Sequence, residues 1–161
     1  STFNDGTALG WVPRSGNWTV VNHAYQQSNA SGGTSLNGNI SVPDYTVVAK
    51  LTYNSGSGGM LLLGRSSTDG KNNYGVLLQG SKARLFKTIA GVRTYLGSPV
   101  AISPATPGMS YMVRLAMIGT TIQAQIDGAS ILPVTDTSLS SGAIGLSAAG
   151  VIATFDNVAV Y

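Results

Sequence analysis

The sequence predicts an all-β chain, an antiparallel two-sheet β-sandwich, on three observations. No stretch repeats apolar residues at i, i+3, i+4 and i+7 over three helical turns. Short runs rich in β-branched and aromatic residues instead recur at intervals of roughly 8–12 residues. Between them stand turn signals: Asn-Ser-Gly at 54–56, Asp-Gly at 69–70, Gly-Ser at 80–81 and Asp-Gly at 127–128.

In chain order, the predicted strands cover 18–22, 25–28, 45–53, 60–65, 74–79, 83–88, 94–96, 111–117, 121–126 and 153–161. The first two flank the turn around Asn22 and His23, within GWVPRSGNWTVVNHAYQQ, which holds both tryptophans. Alternation in WTVVN packs Trp18 into or against a sheet, whereas Trp11, after Gly10 in a loop, is the one expected to be exposed. TTIQAQIDGASILPV sets Ile122, Ala124 and Ile126 against Gln123 and Gln125, then turns at Asp127-Gly128, the pair a type I′ hairpin favours. No linker, repeat or domain boundary interrupts residues 1–161, so one domain is expected.

Composition narrows the function classes. Of 161 residues 43% are hydrophobic, enough to build a core, and only 9% are charged, roughly a third of the usual share. A surface of hydroxyls and amides is the composition of secreted polysaccharide-active proteins, and an extracellular location is expected. Cysteine is absent, which removes disulfides, thiolate metal sites and cysteine nucleophiles. The net charge of +3 rests on few bases that do not interleave with aromatics, so no nucleic-acid partner is expected. No apolar run approaches the roughly 20 residues of a membrane-spanning helix. The start at Ser1 reads as a mature chain or an excised module, and a monomer is expected.

The segments FNDGTALGWVPRSGNWTVVNHAYQQ, LLLGRSSTDGKNNYGVLLQ, MVRLAMIGTTIQAQIDG and FDNVAVY, in that order, resemble concanavalin A-like (laminin G-like) jelly-roll domains over nearly the whole chain. The resemblance implies a jelly roll of the kind found as carbohydrate-binding modules in bacterial polysaccharide-degrading enzymes. It implies non-catalytic binding of a polysaccharide or oligosaccharide that anchors an attached enzyme. A polysaccharide lyase-type domain and a laminin G-like adhesion domain share the fold and stay open.

The six acids are all aspartates, and no glutamate is present. Glycoside hydrolysis generally needs two carboxylates flanking the scissile bond, and catalytic glucanases of this fold carry closely spaced glutamates, so a hydrolase is disfavoured. His23, the lone imidazole, reads as a solvated turn residue, and no nucleophile-elbow pattern accompanies it. A lyase using Tyr74 or Tyr95 with an arginine is the enzymatic alternative. Asn4-Asp5-Gly6 and Phe155-Asp156-Asn157 fall at opposite chain ends, which sandwiches of this kind bring together. By position Asp5 and Asp156 resemble ligands of a structural Ca²⁺, which takes 6–8 oxygens.

Sugar sites combine aromatic faces with planar polar groups. Residues 65–95 concentrate Arg65, Asn73, Tyr74, Gln79, Arg84, Lys87, Arg93 and Tyr95, the expected ligand-binding set. Five of the nine bases lie between Lys71 and Arg93. Because the arginine fork suits carboxylates and vicinal hydroxyls alike, an acidic glycan such as a uronate polymer is one candidate among saccharide partners, and charges that keep edge strands from pairing are the other reading of this cluster. Alternation sets Leu61, Leu63 and Arg65 against Met60, Leu62 and Gly64, and Tyr74, Val76 and Leu78 against Gly75, Leu77 and Gln79. Apolar residues on both faces leave open which set points inward.

Overall fold

The computed structural model describes all residues, Ser1–Tyr161. Twelve antiparallel strands run in chain order: β1 (Trp11–Pro13), β2 (Trp18–Val21), β3 (Ala24–Gln27), β4 (Gly33–Asn37), β5 (Tyr45–Ser66), β6 (Asn73–Gln79), β7 (Lys82–Ile89), β8 (Val92–Ala101), β9 (Ser110–Ile118), β10 (Thr121–Ile126), β11 (Ala129–Thr135) and β12 (Ala143–Val160). No helix is present, as the missing 3.6-residue periodicity requires.

Two long strands build the two layers. The first half of β5 pairs with β9, and its second half with β6. β12 follows it antiparallel throughout, from Ala143 opposite Ser66 to Val160 opposite Val47. Layer I is thus β2-β3-β12-β5-β9-β10-β11, and layer II is β1-β4-β12-β5-β6-β7-β8. Asn54-Ser55-Gly56, expected as a turn between two strands, is instead the corner at which one strand passes between layers. Gly56 (φ +110°) and Gly150 (φ +72°) adopt left-handed backbone there. A Cβ on Gly58 would be driven into the Ala149 carbonyl oxygen, so the two strands cross the corner only because they are bare.

The layers close on a core that includes Tyr45, Val47 and Leu51 of layer I and Leu62, Val76 and Leu85 of layer II, each fully buried. Tyr25 sits among Phe3, Trp11 and Trp18, with ring centroids 4.7–6.0 Å from its own. Trp11, expected at the surface, is 7% exposed, because β1 pairs with β4 and turns the indole inward. Trp18 packs against Tyr25 and Phe155 as its alternation requires.

Candidate functional site

The register settles the faces of layer II. Met60, Leu62, Tyr74, Val76, Leu78 and Leu85 belong to the main core, so the alternate residues of β5, β6 and β7 point out of the sandwich. The expected ligand set is therefore split.

Tyr74 and Lys87 point between the layers. The Tyr74 hydroxyl donates to Asp136 Oδ1 (2.6 Å), and Lys87 Nζ bonds Asp136 Oδ2 (2.6 Å) and Ser138 Oγ (2.9 Å). Burial alone would raise the Asp136 pKa, but Lys87, Tyr74 and Ser138 outweigh it and hold the carboxyl far below the usual range. Burial, followed by donation to that carboxylate, pushes the Tyr74 phenol up. The cluster pins the loop between β11 and β12 to layer II, and Leu139 N also donates to the Tyr74 hydroxyl.

Arg65 is 2% exposed at the end of β5, with φ +45°. Its guanidinium donates to the carbonyls of Pro43, Gly119, Leu139 and Met117 at 2.9–3.3 Å and to Asp44 Oδ1 at 3.1 Å. Its backbone N–H donates to the Tyr45 hydroxyl, which donates on to the Gly142 carbonyl. Asn73 is 5% exposed and gives its amide N–H to the Gly70 carbonyl. Arg65, Tyr74 and Lys87 thus organise loops at the end of the sandwich and lie apart from the outer face, while Asn73 has the outward register of Leu77 and Gln79 but is buried against the 67–72 turn.

Gln79, Arg84, Arg93 and Tyr95 remain, and they share that outer face. Gln79, Arg84 and Tyr95 line one cleft of about 220 Å³, together with Leu77 and Lys82. Its geometry follows from pairing: Leu77 faces Arg84, Gln79 faces Lys82, and Phe86 faces Tyr95. Arg84 is two residues from Phe86, so it meets Tyr95 diagonally, with Cζ 4.7 Å from the ring centroid. Arg93 lies over Phe86 in the same way, at 4.3 Å. The tyrosine keeps 48% of its surface exposed.

The floor is apolar although it faces outward. Leu61, Leu63, Leu77 and Phe86 are between 0 and 4% exposed and form a small cluster separate from the main core. Glycines make this possible, since a Cβ on Gly75 would overlap the Phe86 ring lying across it. Above this floor stand Lys82, Arg84 and Arg93 without a carboxylate. The chain's two ion pairs, Arg65–Asp44 and Lys87–Asp136, lie elsewhere. None of the six aspartates falls within β5, β6, β7 or β8. Leu77 and Lys82 were missing from the sequence set; the pairing of β6 with β7 identifies them, and single-strand alternation does not.

The chain ends do meet. Ser1 exchanges backbone hydrogen bonds with Val158, and the N-terminal ammonium pKa is lowered by burial, against the pull of Asp156. Asp5 is exposed, and its Oδ1 accepts from the Thr7 N–H and hydroxyl (both 2.9 Å), which lowers its pKa. Asp156 Oδ1 is buried without a partner. No three His or carboxylate side chains converge anywhere. The turn before Ala24 holds Asn22 and His23 at φ +49° and +63°, with His23 exposed and its Nδ1 3.0 Å from the Asn4 carbonyl oxygen.

No protein-family model matches the chain, and no curated protein does. Solved structures do. The carbohydrate-binding module CBM66 from Bacillus subtilis is 22% identical, with TM-score 0.85 over 94% of each chain. A putative glycosyl hydrolase from Parabacteroides distasonis is 12% identical, with TM-score 0.74 over 98% of this chain and 90% of that one. The lumenal domain of VIP36, in a Ca²⁺- and Man3GlcNAc-bound form, is 9% identical, with TM-score 0.76 over 99% of this chain and 86% of that one. At such identities the likeness is one of fold: the chain has the two-layered jelly roll of concanavalin A-like lectins and carbohydrate-binding modules.

Proposed function

We propose that this domain is a non-catalytic saccharide-binding module that holds an attached polysaccharide-degrading enzyme on its polymer, outside the cell. The observation that carries the reading is the outward cleft of Gln79, Lys82, Arg84 and Tyr95 over an apolar floor. The exposed Tyr95 ring offers a face to the C–H side of a pyranose, and the Gln79 amide can bond a hydroxyl. Lys82, Arg84 and Arg93 form no ion pair within the chain, so the preferred glycan is acidic, a uronate-type polymer. The likeness to CBM66 supports the binding-module reading.

Catalysis by Tyr74 is disfavoured, because its hydroxyl is committed to Asp136 and its pKa is raised. Affinity electrophoresis in gels containing neutral and uronate polysaccharides tests the reading. Retardation is expected with the acidic polymers and its loss in Tyr95→Ala; a folded protein that no polysaccharide retards sinks the proposal. Release of unsaturated products from a polyuronate, read by absorbance, would show a lyase instead.

A structural calcium ion belongs to the same reading. Asp156 fits it better than Asp5, because Asp156 has an unpartnered buried oxygen whereas the Asp5 oxygen is held by Thr7. Backbone carbonyls would complete an oxygen shell that no second carboxylate is seen to supply. Chelator should lower the melting temperature by several degrees, and Asp156→Asn should remove that sensitivity. An unchanged midpoint rules the ion out.

A further inference from the structure

The outer face of layer I carries a second groove, of about 370 Å³, over β9, β10 and β11. Register places its polar groups. Gln125 lies opposite Arg114 on one side and Ser130 on the other, forming a row across three strands. One step along, Gln123 lies opposite Ala116. Ala116 points outward yet is only 3% exposed, because taller neighbours rise around it, and it forms the floor. A bulge between Ile122 and Ala124 leaves Gln123 without a partner on β11 and opens the groove on that side. Leu132, 78% exposed, forms an apolar wall.

The polar groups are uncommitted. Arg114 is in neither of the chain's two ion pairs. The Gln125 amide makes only a long bond, 3.4 Å, to the Gly128 carbonyl. An arginine fork on the strand beside two carboxamides, with an exposed leucine as the wall, matches one ligand chemistry. A carboxylate would take the fork, ring hydroxyls the amides, and a C–H face the leucine.

We propose that this groove is a second saccharide site, independent of the layer II cleft, which recognises a sugar bearing a carboxylate. The two sites face away from each other, so one module engages two acidic chains and cross-links them. The groove's chemistry is argued from its own residues and does not depend on the layer II cleft being a site.

The test is a ¹⁵N NMR titration with methyl glucuronide and methyl glucoside, reading the Arg114 Nε–H and the side-chain amides of Gln123 and Gln125. Glucuronide is expected to shift these signals saturably, with the glucoside at least about tenfold weaker. Arg114→Gln should abolish the response, and the exposed position keeps that variant folded. The double variant Arg84→Gln/Tyr95→Ala should retain it in full. No shift with glucuronide, equal responses to both sugars, or a response that survives Arg114→Gln would overturn the proposal. So would its loss in the double variant, which would make the groove dependent on the other face.

Discussion

Arg65 and Arg84 place the same guanidinium in opposite settings. Arg65 ends β5 buried, with four carbonyls and a carboxylate around it. Arg84 lies on the outside of β7 and touches one tyrosine ring. The first spends its whole hydrogen-bonding capacity inside the molecule, tying together the segments around Pro43, Gly119 and Leu139. The second keeps its donors for something else. In a chain with so few charges, a base is informative once its own partners have been counted.

The sharpest way to break the contrast is to remove Arg65. Arg65→Met should cost about 3–5 kcal/mol, because it leaves buried carbonyls without donors and loosens three loops at once. Asp44→Ala should cost far less, about 1 kcal/mol, although it removes the ion-pair partner. Asp44 is half-exposed, and a single oxygen, Oδ1, accepts from both Arg65 and the Gly119 N–H. Urea denaturation of the two variants measures the difference. Equal costs would mean that the ion pair, and not the carbonyl set, makes Arg65 structural.

The contrast also shows how far the sequence could be read. Strand positions were legible because alternation and Asp-Gly turns are local: Asp127 and Gly128 take φ +48° and +87°, as a type I′ turn requires. Local signals also put Arg84 and Tyr95 on strands. What the sequence could not show depends on register. Residues 60–65 carry apolar side chains on both faces, so alternation alone could not say whether Tyr74 or Gly75 points inward. The inward choice removed Tyr74 and Lys87 from the ligand set. Arg65 was lost for another reason. Its left-handed backbone at the strand end breaks the alternation that grouped it with Leu61 and Leu63. Trp11 was misplaced because its three-residue strand is held only by β4, a strand that the small residues of 33–37 concealed. The corner at Gly56 reads locally as a turn, and only the pairing of β5 with β12 shows otherwise.

Asp136 lies between these extremes and gives a pH test. Its folded pKa is depressed, so the native state binds its proton less readily than the unfolded chain. The resulting stabilisation is fully present above the unfolded value, about 4, and is lost as pH falls below it toward the folded value. Asp136→Asn should cost about 1–3 kcal/mol at neutral pH, since Lys87 and the Tyr74 hydroxyl lose a charged acceptor. The gap between wild type and variant should narrow from pH 5 to pH 2, the range flanking the unfolded value. A gap that stays constant would place the stabilisation in packing of the 136–142 loop rather than in the carboxylate.

The smallest expected effect on stability is the most informative for function. Arg84→Gln and Tyr95→Ala should each change unfolding free energy by no more than about 0.5 kcal/mol, because neither side chain supports the main core. Each variant removes the same exposed cation–π contact, at the low end of about 0.5–1 kcal/mol, so the two costs should be similar. Affinity for a uronate polymer, by contrast, should fall about tenfold or more in each, and the Arg84 loss should shrink as salt is raised. Titration calorimetry at two ionic strengths reads both. If Arg84→Gln instead destabilised the fold as Arg65→Met does, its guanidinium would have a structural duty, and the cleft would lose its one oriented fork.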